Sequence, residues 1–121
     1  MNESLVLDSK ELVKTIAEYT LEKKAEDVVI LDLKKITTVT DYFLICSADS
    51  EHQVKAISDN IIEKLKEKNI NIWRTEGFES SNWVILDLVD IVIHIFKPDA
   101  REFYSLEKLW GDAEIMKVED K

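Results

Sequence analysis

Apolar residues Leu12, Val13, Ile16, Ala17 and Leu21 recur three and four positions apart, with charges between them. That spacing lines one face of a helix and predicts α-helix over about residues 9–24. Asp8 stands before it as a cap, with Glu11 three positions on as a capping-box partner. Asp27–Leu33 and Tyr42–Ser47 are short, β-branched and apolar nearly throughout, the pattern of strands covered on both faces. Between them, the threonines and acid of Lys34–Asp41 indicate an ordered loop held by side-chain hydrogen bonds to backbone. From Asp49 or Ser50 as cap, Val54, Ile57, Ile61 and Leu65 form the stripe of a second helix reaching about Lys68.

Ile72–Glu76 alternates and ends at Gly77, as a half-exposed strand near a sheet edge does. If this strand runs parallel to Tyr42–Ser47, the helix between them makes a right-handed crossover. Trp83–Leu88 and Asp90–Phe96 are separated by so little chain that only a tight antiparallel hairpin joins them. Pro98 then stops the sheet, and Asp99 opens a helix whose shared face is Phe103, Leu106 and Trp110, ended by Gly111. The order α-β-β-α-β-β-β-α gives an α/β (α+β) fold: a single mixed five-stranded sheet covered by helices. It forms one domain over residues 1–111. Residues 112–121, with four acids and little periodicity, read as a frayed acidic tail on which Ile115 and Met116 are the only candidates for docking.

Sixteen Lys and Arg against twenty-five Asp and Glu leave a net charge of −9, which opposes sequence-independent nucleic-acid binding and favours a basic partner. With only Gly77 and Gly111 as glycines, neither a P-loop nor a dinucleotide fingerprint can be written. Val84–Phe96, the most apolar region, is broken by Asp87, Asp90 and His94, so no membrane span is expected there. One cysteine, Cys46, makes no internal disulfide. With an acidic, arginine-free start that resembles no targeting segment, it leads us to expect a cytoplasmic protein.

Strand-end acids at Asp32, Asp41, Asp87 and Asp90 offer one catalytic reading, a Mg-dependent nucleotidyltransferase-like enzyme using Asp41, Asp87 and Asp90. The competing reading is that they cap turns and pair with lysines. Cys46 and His52 span a strand-to-helix turn, but a cysteine on a buried strand is ordinarily an inert small hydrophobe. His94, on an otherwise apolar strand face, fits a hydrogen-bonded core histidine better than a metal ligand, and two histidines with one cysteine make no zinc set. No catalytic residue, metal site or cofactor is expected. Aromatic and apolar residues cluster late in the chain: Trp83, Leu88, Phe96, Phe103, Tyr104 and Trp110. Most belong in the core, but Trp83, opening a strand after Glu79-Ser80-Ser81-Asn82, and Leu88, at a hairpin tip, are candidate interface anchors.

Seven blocks in order and spacing, Asp27–Leu33, Thr40–Ser47, Gln53–Ile57, Glu76-Gly77, Trp83–Asp87, Asp90–Phe96 and Arg101–Trp110, resemble the ribosomal silencing factor family, also called Iojap-like or YbeB-like. The resemblance implies a nucleotidyltransferase-like sheet without transferase activity. It further implies binding to the large ribosomal subunit through ribosomal protein L-fourteen, steric blocking of small-subunit joining, repression of translation under nutrient limitation, and homodimers when free. By motif position it implies partner contacts at Trp83 and Leu88, then Tyr104; to these we add Lys97 as a candidate polar contact. Two positions depart from the family pattern. Ala48 and Val89 stand where glycines are common, and because valine disfavours positive φ, a different hairpin turn is expected at Val89.

Overall fold

The computed structural model describes residues 8–119. The acidic start on which the localisation reading rests, and the last two residues of the expected tail, lie outside them. Helix α1 (Ser9–Glu22) begins where Asp8 Oδ1 accepts the Glu11 N–H at 2.8 Å, satisfying one of the free donors of the first turn. Helix α2 (Glu51–Glu67) begins the same way, with Ser50 Oγ accepting the Gln53 N–H at 3.1 Å. Val13, Ile16 and Ala17 on α1, and Val54, Ile57, Ile61 and Leu65 on α2, are buried, so both apolar stripes face the sheet.

The strands are β1 (Glu26–Asp32), β2 (Tyr42–Ser47), β3 (Arg74–Glu76), β4 (Trp83–Asp87), β5 (Ile91–Phe96) and β6 (Glu114–Val118), laid out in the order β3-β4-β5-β2-β1-β6. β2 pairs with β5 in parallel and every other neighbouring pair is antiparallel, so the sheet is mixed, as the pattern predicts. It has six strands rather than five. The segment expected to fray instead pairs with β1, from Val28 opposite Val118 to Asp32 opposite Glu114. The physical reason lies in β1, which is buried on both faces and whose outer backbone groups need partners. β6 supplies them through its backbone, while Ile115 and Met116 stay partly exposed, so its side chains carry little strand signal.

Alternation gives the sheet two faces. Leu44, Cys46, Val84, Leu86, Ile93 and Ile95 point toward α1 and α2. Val29, Leu31, Ile45 and Phe96 point the other way, beneath Leu106, Trp110 and Ala113. The helix expected over 99–110 is broken into α3 (Pro98–Tyr104) and α4 (Leu106–Leu109) by Ser105, which sits in the left-handed region at φ 47°. That break resets the helical phase. Phe103, expected on the buried face with Leu106 and Trp110, is 80% exposed.

The β4–β5 hairpin closes through Val89, which adopts φ 77° despite its branched side chain. The Asp90 N–H donates to the Leu88 carbonyl at 3.0 Å, making a γ-turn of positive φ around Val89, and Asp87 Oδ1 accepts the Val89 N–H at 2.8 Å. Valine disfavours positive φ, yet Val89 adopts it here. The two strands and the Asp87 carboxylate over-determine the turn, which holds the strained residue in place.

Candidate docking face

Pairing of β4 with β5 sets Trp83 opposite Phe96 and Ile85 opposite His94, all on the face away from α1 and α2. Trp83 is half-buried. Its ring stacks on Phe96 with centroids 4.9 Å apart and 25° between planes, and meets Tyr104 at 4.5 Å. Phe103 stands edge-on to Tyr104 at 5.0 Å. Tyr104 is 49% exposed, so the rings rise in steps from the core at Phe96 to solvent at Phe103. Beside them, Ser80, Asn82, Trp83, Lys97, Phe103 and Tyr104 share one open concavity of about 630 Å³.

Three local devices fix this platform. Gly77, at φ 92°, lets the chain turn so close over β4 that an added Cβ would lie 1.9 Å from the Trp83 carbonyl oxygen. The Lys97 N–H donates to the Asn82 carbonyl at 2.9 Å, tying the end of β5 to the start of β4. Arg101 secures α3 from beneath: Nη1 donates to the Asp27 carbonyl and to Ser47 Oγ, each at 2.8 Å, and Nη2 meets Glu107 Oε2 at 2.7 Å. Asp27, at φ 50° where the β1–β2 register shifts, offers the carbonyl that Arg101 takes up. The ion pair to Glu107 also bridges the break at Ser105, joining α3 to α4.

Beneath the platform, Trp83 Nε1–H donates to His94 Nδ1 at 3.0 Å. His94 is a buried, hydrogen-bonded core histidine, as its strand position suggests, and burial pushes its pKa down to about 3. Cys46 lies wholly inside the opposite layer, where burial, slightly offset by Arg101, pushes its thiol up to about 12. Such a thiol is protonated at neutral pH and is a poor nucleophile.

The strand-end acids gather at the other end of the sheet, where the Asp41 N–H donates to the Asp90 carbonyl at 2.9 Å. Asp41 Oδ2 accepts from Ser9 Oγ at 3.0 Å, and Asp87 Oδ1 holds the hairpin turn. Asp87 Oδ2 also lies 3.8 Å from Arg74 Nε. Among the described residues no group of three or more His, Cys, Asp or Glu side chains is placed to hold a metal ion.

A family profile described as ribosomal silencing factor during starvation matches residues 6–121. The chain belongs to the ribosomal silencing factor family. A ribosomal silencing factor of Halalkalibacterium halodurans is 43% identical over 113 residues, 93% of this chain and 97% of that protein. Another, from Bacillus subtilis, is 44% identical over 107 residues, 88% of this chain and 91% of that protein. A crystal structure of a Chromobacterium violaceum protein matches with a TM-score of 0.84 at 35% identity, covering 87% of this chain and 88% of that one.

Within this family member, Trp83 and Tyr104 are in contact and Lys97 borders the same concavity. Leu88 is placed apart from them. It sits past the far end of β4, about 17 Å away at the usual strand rise, and packs against the cluster under α1 and α2. Phe103 joins the platform although helical periodicity assigns it to the core. The sign that points to it is Ser105, a poor helix-interior residue directly after Tyr104.

Proposed function

We infer that this protein binds the large ribosomal subunit through ribosomal protein L-fourteen and, by covering that surface, keeps the small subunit from joining, which represses translation under nutrient limitation. The observation that carries the reading is the stepped platform of Trp83, Tyr104 and Phe103. Exposed aromatic rings on a rigid base are the usual anchors of a protein interface, because they desolvate a large area while losing little side-chain freedom. Lys97 is the polar contact at its rim, and Leu88 is an outlying contact at the hairpin tip. A net charge of −9 suits a basic ribosomal protein and speeds encounter with it.

Steric occlusion requires no catalytic residue and no cofactor, and in this reading the protein is not an enzyme. The nucleotidyltransferase-like alternative is disfavoured by the employment of the carboxylates of Asp41 and Asp87 in local structure. Free copies pair as homodimers, and the site of action is the cytoplasm. Co-sedimentation with purified large subunits at several salt concentrations tests the reading. Pelleting that weakens as salt rises supports it, and a protein that stays in the supernatant at every salt concentration counts against it.

A further inference from the structure

An indole N–H only donates, so the histidine nitrogen facing it must present a lone pair. His94 Nδ1 accepts from Trp83 at 3.0 Å, which places the imidazole proton on Nε2. That Nε2 is buried and has no hydrogen-bond partner. The ring is otherwise surrounded by apolar surface, with Phe43 edge-on at 4.5 Å and Phe96 stacked at 6.1 Å. A phenylalanine would fill the same space and bury no unpaired donor. Packing therefore does not account for an imidazole here, whereas the bond to Trp83 does.

We propose that His94 is the positioning residue of the docking face, its Nδ1 fixing the rotation of the Trp83 indole so that the ring lies on Phe96 and meets Tyr104 before any partner arrives. This rests on the docking role given to the platform above. Trp83 has only two side-chain torsions, and stacking alone lets the ring slide and flip over Phe96. One directional bond at its edge removes that freedom, so the partner meets a preorganised surface and loses less affinity to ordering.

Two variants of opposite chemistry separate positioning from packing. His94→Phe keeps a ring and removes the acceptor, while His94→Gln removes the ring and keeps a side-chain oxygen able to accept the indole N–H. In co-sedimentation with purified large subunits, His94→Phe is expected to bind more weakly than wild type by up to about fivefold, the largest fall in the population of the docking rotamer that loss of one hydrogen bond allows, with His94→Gln closer to wild type. In a Trp83→Phe background, which has no indole N–H, that preference for Gln should vanish. Phe binding as well as wild type, or better than Gln, overturns the proposal.

The wild-type protein gives an answer that needs no variant. Imidazole nitrogen-15 spectra between about pH 5.5 and 8 should show His94 protonated on Nε2 alone, with the Trp83 indole proton protected from exchange. A proton on Nδ1, or an exchanging indole proton, overturns the bond itself. If these spectra are as expected but wild-type protein fails to pellet with large subunits, the bond stands and its docking purpose is overturned.

Discussion

At most exposed positions alanine is more stable than glycine, because glycine loses more freedom on folding, by roughly 0.4–1 kcal/mol. Val89 should reverse that order. Its φ of 77° forces any Cβ against the backbone, at a cost of about 1–2 kcal/mol that glycine does not bear. Val89 is 53% exposed, and both replacements remove the same branched methyl groups, so packing nearly cancels between them. The difference between Val89→Gly and Val89→Ala is then the strain less the entropy, about 0.5–1 kcal/mol in favour of glycine. In urea, with a slope of about 1–3 kcal/mol/M, the glycine variant should unfold at a midpoint roughly 0.2–1 M higher, with the slope unchanged. An alanine variant more stable than the glycine variant by that ordinary margin of roughly 0.4–1 kcal/mol would show that the γ-turn at Leu88–Asp90 stores no strain, and would refute the reasoning.

Arg101→Met keeps the aliphatic stem but strands the Glu107 carboxylate and the Asp27 carbonyl, and should cost about 2–3 kcal/mol in urea unfolding, a loss that Arg101→Lys, with no fork, recovers only in part. For His94, a folded pKa near 3 lies below the unfolded value near 6.5, so the unfolded chain takes up the proton first. Its contribution to stability is complete above about pH 6.5 and is lost as pH falls toward 3, by at most about 1.4 kcal/mol per pH unit, a slope that His94→Gln should reduce in pH-dependent unfolding. Cys46, buried and with its thiol pushed up to about 12, should react with a thiol reagent at pH 8 only at the rate of unfolding; fast labelling of native protein would contradict its placement.

The elements with strong periodicity are legible in the chain. The stripes of α1 and α2, the Asp8 and Ser50 caps, and the paired strands of the late hairpin all lie within a few residues of where their patterns put them, because burial on one face leaves a regular trace. β6 leaves none, since its place depends on the unpaired edge of β1 and not on its own side chains. The break at Ser105 is also tertiary: α3 and α4 are bridged by Arg101 and Glu107, and local apolar spacing reads through the interruption as one helix. At the candidate site, Trp83 and Tyr104 are visible as aromatic residues in suggestive positions, but their contact joins β4 to α3 across the fold. The separation of Leu88 from them follows from strand parity once the hairpin register is known. Phe103 is misassigned for the same reason as the helix that holds it.

Joining of purified small and large subunits, followed by light scattering as magnesium is raised, probes the inferred occlusion without intermediaries. Added before mixing, the wild-type protein should suppress the scattering rise in proportion to the large subunits it covers, while a folded Trp83→Ala/Tyr104→Ala variant should leave most of the rise intact. Subunits that join at the same rate and to the same extent with saturating wild-type protein present would contradict the proposed mechanism.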